Sequence, residues 1–166
     1  MRANEVKQGG FLVRPAVKND RRSLLETFAA VVNSSPHYSD EAKNGEIANY
    51  QYLAAADAAA LDGVLVVVRD ESIVGFSITE RDDGIAHLAW FGAVERERAK
   101  GVGTAALEAS VDWARACGFH KIWCDSRTTN PGSIRLLERA GFEKVALFVN
   151  FWWGHDYFIW QKSLSE

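Results

Sequence analysis

Arg98-Ala99-Lys100-Gly101-Val102-Gly103-Thr104, running on through Ala105 to Gly118, is the stretch on which the fold turns. It reads as a strand exit, a basic glycine-containing turn and a long helix. A helix start leaves several backbone N–H groups unpaired and carries a partial positive charge. Glycines at 101 and 103 remove the side chains that would hold a ligand off those groups. Arg98 and Lys100 add positive charge at the same place. The turn suits an anion, and a diphosphate above all.

Two patterns fit the turn. Gly101-Val102-Gly103-Thr104-Ala105-Ala106 matches the dinucleotide fingerprint G-x-G-x-x-A, and Asp125, ending the next strand, stands where a ribose-binding acid would fall. That would make a nicotinamide-binding oxidoreductase. In such folds, however, the first glycine follows its strand almost directly. Here Glu95 to Lys100 intervene after a strand ending at Val94, and the long preceding segment reads as antiparallel strands.

The second pattern is R/Q-x-x-G-x-G/A, here Arg98-Ala99-Lys100-Gly101-Val102-Gly103. It is joined downstream by Asn130-Pro131-Gly132-Ser133-Ile134-Arg135-Leu136-Leu137-Glu138-Arg139-Ala140-Gly141-Phe142. Together these resemble the acetyl-coenzyme A (acetyl-CoA) loop and the following helix of the GCN5-related N-acetyltransferase (GNAT) family. The resemblance spans Phe11 to about Lys162 and is strong from Ala93 to Phe142. It implies an α/β (α+β) fold with a mixed twisted sheet of six to seven strands flanked by helices, in the order β-α-α-β-β-β-α-β-α-β-β.

The chain reads in that order. A polar tail, residues 1–10, precedes a single domain, 11–166. Phe11–Arg14 is a strand. Leu24, Leu25, Phe28, Val31 and Val32 recur at helical spacing, and a second helix is expected from Ile47 to Leu61. Val64–Val68, Ile73–Glu80 and Ile85–Val94 form a meander of strands. The helix from Gly101 to Cys117 has a wet stripe at Glu108, Asp112 and Arg115. Lys121–Cys124 follows as a strand parallel to the one before that helix. A shorter helix after Asn130 and strands at Phe142–Asn150 and Tyr157–Lys162 complete the chain.

Composition narrows the function classes. A net charge of −3 argues against nucleic acid as the main partner. Cys117 and Cys124 lack C-x-x-C spacing, so reduced thiols, no metal site and a cytoplasmic location are expected. No apolar span is long enough for a membrane helix.

The resemblance also assigns roles. The backbone of Ala93 and Val94 would pair with pantetheine. Arg98, Ala99, Lys100, Gly101, Val102, Gly103 and Thr104 would hold the pyrophosphate, with Asn130 and Ser133 near the pantetheine. Asn130, followed by Pro131, is equally an ideal helix cap.

A protonated amine must lose a proton before it can attack an acetyl carbonyl. His87 falls where the histone-modifying branch of the family carries its base, and histidine ordinarily titrates near about 6.5. Residues 87, 89 and 91 share one face of the strand by alternation, so a side chain at 87 can point to the cleft floor. Glu80 is the second choice. Leu137 replaces the tyrosine that often protonates the departing thiolate, so either the thiolate leaves unassisted, its thiol pKa being only about 8.5, or Tyr157, Ser133 or Cys124 stands in.

An amine acceptor, from a small molecule or a peptide, would draw on His37, Tyr38, Asp40, Tyr50 and Tyr52, or on Trp152, Trp153, His155 and Asp156. Core packing or a homodimer contact is the competing reading for the two tryptophans. Against catalysis stands a non-catalytic acyl-CoA-binding regulatory domain.

Overall fold

The computed structural model describes residues 6–8, 10–54 and 61–165. Its strands are β1 (Val6–Gln8), β2 (Phe11–Pro15), β3 (Val64–Arg69), β4 (Ser72–Asp82), β5 (Ile85–Ala93), β6 (Lys121–Arg127), β7 (Glu143–Phe148) and β8 (Tyr157–Ser163). Its helices are α1 (Arg21–Asn33), α2 (Asp40–Asn49), α3 (Val102–Ala116) and α4 (Pro131–Arg139). The strands form one sheet in the order β1-β2-β3-β4-β5-β6-β8-β7. Every neighbouring pair is antiparallel except β5 and β6, which are parallel, as a helical crossover requires.

Two expectations change. Val6–Gln8, expected within a polar tail, pairs with β2 and adds an eighth strand to the six or seven foreseen. The second helix begins at Asp40, not Ile47. The Ser39 side chain accepts the Ala42 N–H at 3.3 Å, and Asp40 and Glu41 occupy the positive first turn. That helix ends at Asn49, and Gln51–Ala54 forms a short 3₁₀ turn. The part expected over 55–60 lies outside the described residues.

Alternation on the strands and helical spacing on α1 and α3 bury two clusters against the sheet. One joins Leu24, Phe28 and Val32 of α1 to Val66, Phe76 and Ile78. The other joins Leu107, Val111 and Ala114 of α3 to Leu88, Ile122, Cys124, Leu137 and Trp160. Glu108, Asp112 and Arg115 face solvent, as their spacing predicts.

Gly75 of β4 sets how closely the start of α3 can approach. A Cβ there would collide with Val102 Cγ1 and lie 2.9 Å from the Gly92 carbonyl oxygen. Gly75→Val should therefore lower unfolding free energy by about 1–3 kcal/mol through overpacking. Urea denaturation with the midpoint compared to the parent protein checks this; an unchanged midpoint would contradict the contact.

Candidate active site

β5 and β6 are paired only at Ala86↔Ile122 and His87↔Trp123. Beyond that point β5 stays with β4 and β6 stays with β8, so the sheet opens. A β-bulge between Ile78 and Thr79 bends β5 where it leaves β6. The bulge also alters which side chains share a face. Trp90 packs on Phe28 of α1, whereas Phe91 joins the α3 cluster, so 87, 89 and 91 do not form one row as strict alternation predicts.

The opening is a cavity of about 810 Å³ that runs from the basic turn to the loops around α2. The Val94 N–H goes to the Val74 carbonyl and its own carbonyl receives the Glu97 N–H, so both backbone groups are paired. Ladder alternation then turns the N–H and C=O of Ala93 and Phe91 away from β4, toward the gap. Ala93 thus offers the open edge expected of the pair Ala93 and Val94, and Phe91 joins it.

At one end lies the turn. Ala99 (φ 62°) and Gly101 (φ 86°) are left-handed, which curls successive amides around a concavity. No side chain caps α3, although Ser39 caps α2 and Asn130 caps α4. Among the described residues the N–H groups of Ala99, Gly101, Val102, Gly103 and Thr104 meet no acceptor, while that of Lys100 bonds the Glu97 carbonyl at 3.3 Å. Gly103 and Thr104 line the cavity; Val102 is buried and is not part of the lining. Arg98 lines the cavity and donates to Ser34 Oγ at 2.6 Å. The Lys100 ammonium lies outside the lining, 4.0 Å from Glu97, itself bound by Arg69 at 2.8 Å.

Midway, Asn130 accepts the Ser133 N–H at 3.1 Å and donates to Ser133 Oγ at 2.9 Å, and both line the cavity. Leu137 is fully buried in the core and Cys124 nearly so, which withdraws Cys124 from the stand-ins for the missing tyrosine. Burial raises the Cys124 thiol well above its ordinary value. Tyr157 lines the cavity, and burial pushes its phenol up to about 12, so it stays protonated at neutral pH.

The far end is acidic and aromatic. His87 stacks on Trp123 with ring centroids 4.0 Å apart, and its Nδ1 lies 3.4 Å from Glu80 Oε2. His87 Nε2 is buried without a hydrogen-bond partner. The contact with His87 holds Glu80 below the usual carboxylate range. Asp125, read from sequence only as a ribose-binding acid, lines the cavity; desolvation raises its pKa to about 6, partly offset by His87.

Glu46 was not foreseen. Its carboxylate accepts Trp90 Nε1 at 3.2 Å and Trp153 Nε1 at 3.1 Å. The Trp153 indole presses on Gly45, occupying the space a Cβ would fill. Trp152 and Trp153 are thus not buried core: they form a 3₁₀ turn whose side chains line the cavity. No local signal in the sequence joins residues 46 and 153. Tyr38, Tyr50, Tyr52 and His37 also line this end; Asp40, His155 and Asp156 do not. Among the described residues, no group of three or more His, Cys, Asp or Glu is placed to hold a metal, and no helix is long and apolar enough to cross a membrane.

Because the folded state raises the Asp125 pKa above its ordinary 3.8, ionising Asp125 destabilises the fold. The penalty is full above about pH 6 and disappears as pH falls toward 4. Asp125→Asn should raise stability by about 1–3 kcal/mol at pH 7.5 and by little at pH 4. Urea denaturation at the two pH values reads the difference.

Comparison with known proteins gives a consistent result. The model of the Acetyltransferase (GNAT) family matches residues 24–142. The protein named "Probable N-acetyltransferase YjcK" from Bacillus subtilis (strain 168) is 27% identical over 134 residues, 79% of this chain and 74% of that protein. The structure of yncA from Salmonella typhimurium with its cofactor acetyl-CoA is similar over 95% of each chain, with a TM-score of 0.73 and 24% identity. The PaiA N-acetyltransferase of Thermoplasma acidophilum in complex with coenzyme A gives a TM-score of 0.77 over 92% of this chain and 98% of that one, at 18% identity.

Proposed function

Since the chain belongs to the GNAT acetyltransferase family, we propose that it moves the acetyl group of acetyl-CoA directly to a primary amine, of a small molecule or peptide, in a ternary complex. The observation that carries this reading is a single cavity with uncapped helix amides at one end, an unpaired strand edge in the middle and a histidine–carboxylate pair at the other. These residues fit the donor: open amides for a diphosphate, an open edge for the amide-bearing pantetheine arm, and no side chain at Gly101 or Gly103 to obstruct either. When bound, acetyl-CoA supplies a thioester whose carbon–sulfur bond breaks as the carbon–nitrogen bond forms.

The protein's own groups then have defined tasks. Ala99 and Gly101 to Thr104 hold the phosphates through backbone N–H, and Arg98 adds a cation. The N–H groups of Phe91 and Ala93, turned away from β4 toward the gap, would be the donors for a developing carbonyl oxyanion. Glu80 orients His87 through Nδ1, so Nε2 keeps its lone pair and takes the amine proton, directly or through water. Tyr157 faces the same cavity as a hydrogen-bond donor for the thiolate; with an ordinary thiol pKa near about 8.5, the sulfur departs without obligatory protonation.

Calorimetric titration with acetyl-CoA, followed by thiol release over a panel of amines, tests the proposal. Binding without release from any amine would leave an acyl-CoA-binding domain instead. Gly103→Glu places a carboxylate in the diphosphate seat and should abolish binding; undiminished affinity would move the seat elsewhere. His87→Ala should reduce kcat/KM by about 10²–10⁴-fold near neutral pH, where an unprotonated imidazole can take the amine proton, and by less in acid, where protonation silences any such base. An unchanged pH–rate profile would remove His87 from the reaction.

A further inference from the structure

Arg127 ends β6 in an unusual state. The residue is 2% exposed, yet no carboxylate lies within 4.0 Å of its guanidinium among the described residues. Nε and Nη2 are buried with no hydrogen-bond partner. A buried guanidinium keeps its charge, and its donors are costly to leave unmade. The chain nevertheless holds this one in place. Tyr38 stacks over it at 4.3 Å and Tyr157, its partner across β6 and β8, at 5.1 Å; the Tyr157 hydroxyl contacts it as well. Both rings, and Arg127 itself, line the cavity.

Its neighbours suggest what is missing. Trp123, Asp125 and Arg127 alternate onto the face that stacks on His87, while Ile122 and Cys124 enter the α3 core. A carboxylate and a guanidinium therefore stand side by side, roughly 7 Å apart along the strand, on the wall that also carries the proposed base. That arrangement complements a small zwitterion. Its ammonium meets Asp125 and loses a proton toward His87, while its oxyanion takes the idle donors of Arg127.

We propose that Arg127 is an acceptor-specificity residue that binds a carboxylate, so that the preferred acceptor is a free amino acid or a closely similar aminocarboxylate. Tyr38, whose ring centroid lies 4.3 Å from the guanidinium carbon, sits between α1 and α2 outside regular structure, and on this proposal must shift as the carboxylate enters. This rests on the transferase reading above and narrows its substrate class.

The test compares matched acceptors that share an amine and differ only in the carboxylate: L-amino acids against their C-terminal amides. Thiol release is measured with acetyl-CoA, and direct binding of the same compounds by calorimetry. Acids should surpass amides by about 10- to 100-fold in kcat/KM, mainly through KM, as expected for charge-assisted bonds to a buried guanidinium. Arg127→Gln should erase that ratio by weakening the acids alone, and Arg127→Lys should restore part of it. Equal use of acids and amides by the unaltered protein would overturn the proposal without any variant, as would an unchanged ratio in Arg127→Gln protein that retains its melting temperature. If no amine is acetylated, the transferase reading fails. The binding comparison then still decides the role of Arg127, since a preference for acids upholds it and parity removes it.

Discussion

The molecule is organised by a separation. β5 and β6 share two residue pairs and then diverge, each held by its other neighbour. Backbone donors and acceptors left inside a protein must find partners, and a parted sheet creates a row of them in a protected place. The bulge opposite Ile78 and Thr79 directs β5 out of register at that point, and α3 is seated by Gly75 so that its uncapped start lies beyond the end of the same strand. Edge and helix start thus lie in one cavity, and both are made of main-chain atoms.

Charge is distributed to match. Arg98 stands at the turn, whereas Glu46, Glu80 and Asp125 line the opposite end around His87 and Arg127. Lys100, by contrast, leans toward the buried Glu97, which Arg69 also binds. Its sequence position beside the glycines suggested phosphate contact. What the fold gives it is an internal carboxylate that ties the turn to β3.

Local chemistry was legible before the fold was known. The turn, the helix after it, the hairpins, the parallel crossover and the Asn130 cap each depend on residues close together in the chain, where spacing and capping rules apply. The start of α2 at Ser39 was available in principle and was obscured by the stronger apolar run after Ile47. The rest needed three dimensions. A bulge is a compromise between two strands and their covering helices, so 87, 89 and 91 seemed to form one row. Glu46 acquires meaning only when Trp90 and Trp153 arrive from distant segments. Arg127 carries no signal in the sequence, and only its burial without a carboxylate sets it apart.

The two ends of the cavity differ in what they are made of, and this bears on how the protein can change over generations. The turn and the strand edge present amides that every residue but proline supplies, so side-chain identity there matters chiefly where a side chain would fill the seat, as at Gly101 and Gly103. The opposite chamber presents side chains: a shared carboxylate, an idle guanidinium and a ring of tyrosines and tryptophans. On the proposed reading, exchanges among these would redirect the choice of acceptor while the dependence on one donor persists, because the groups proposed to grip the donor belong to the polypeptide backbone itself.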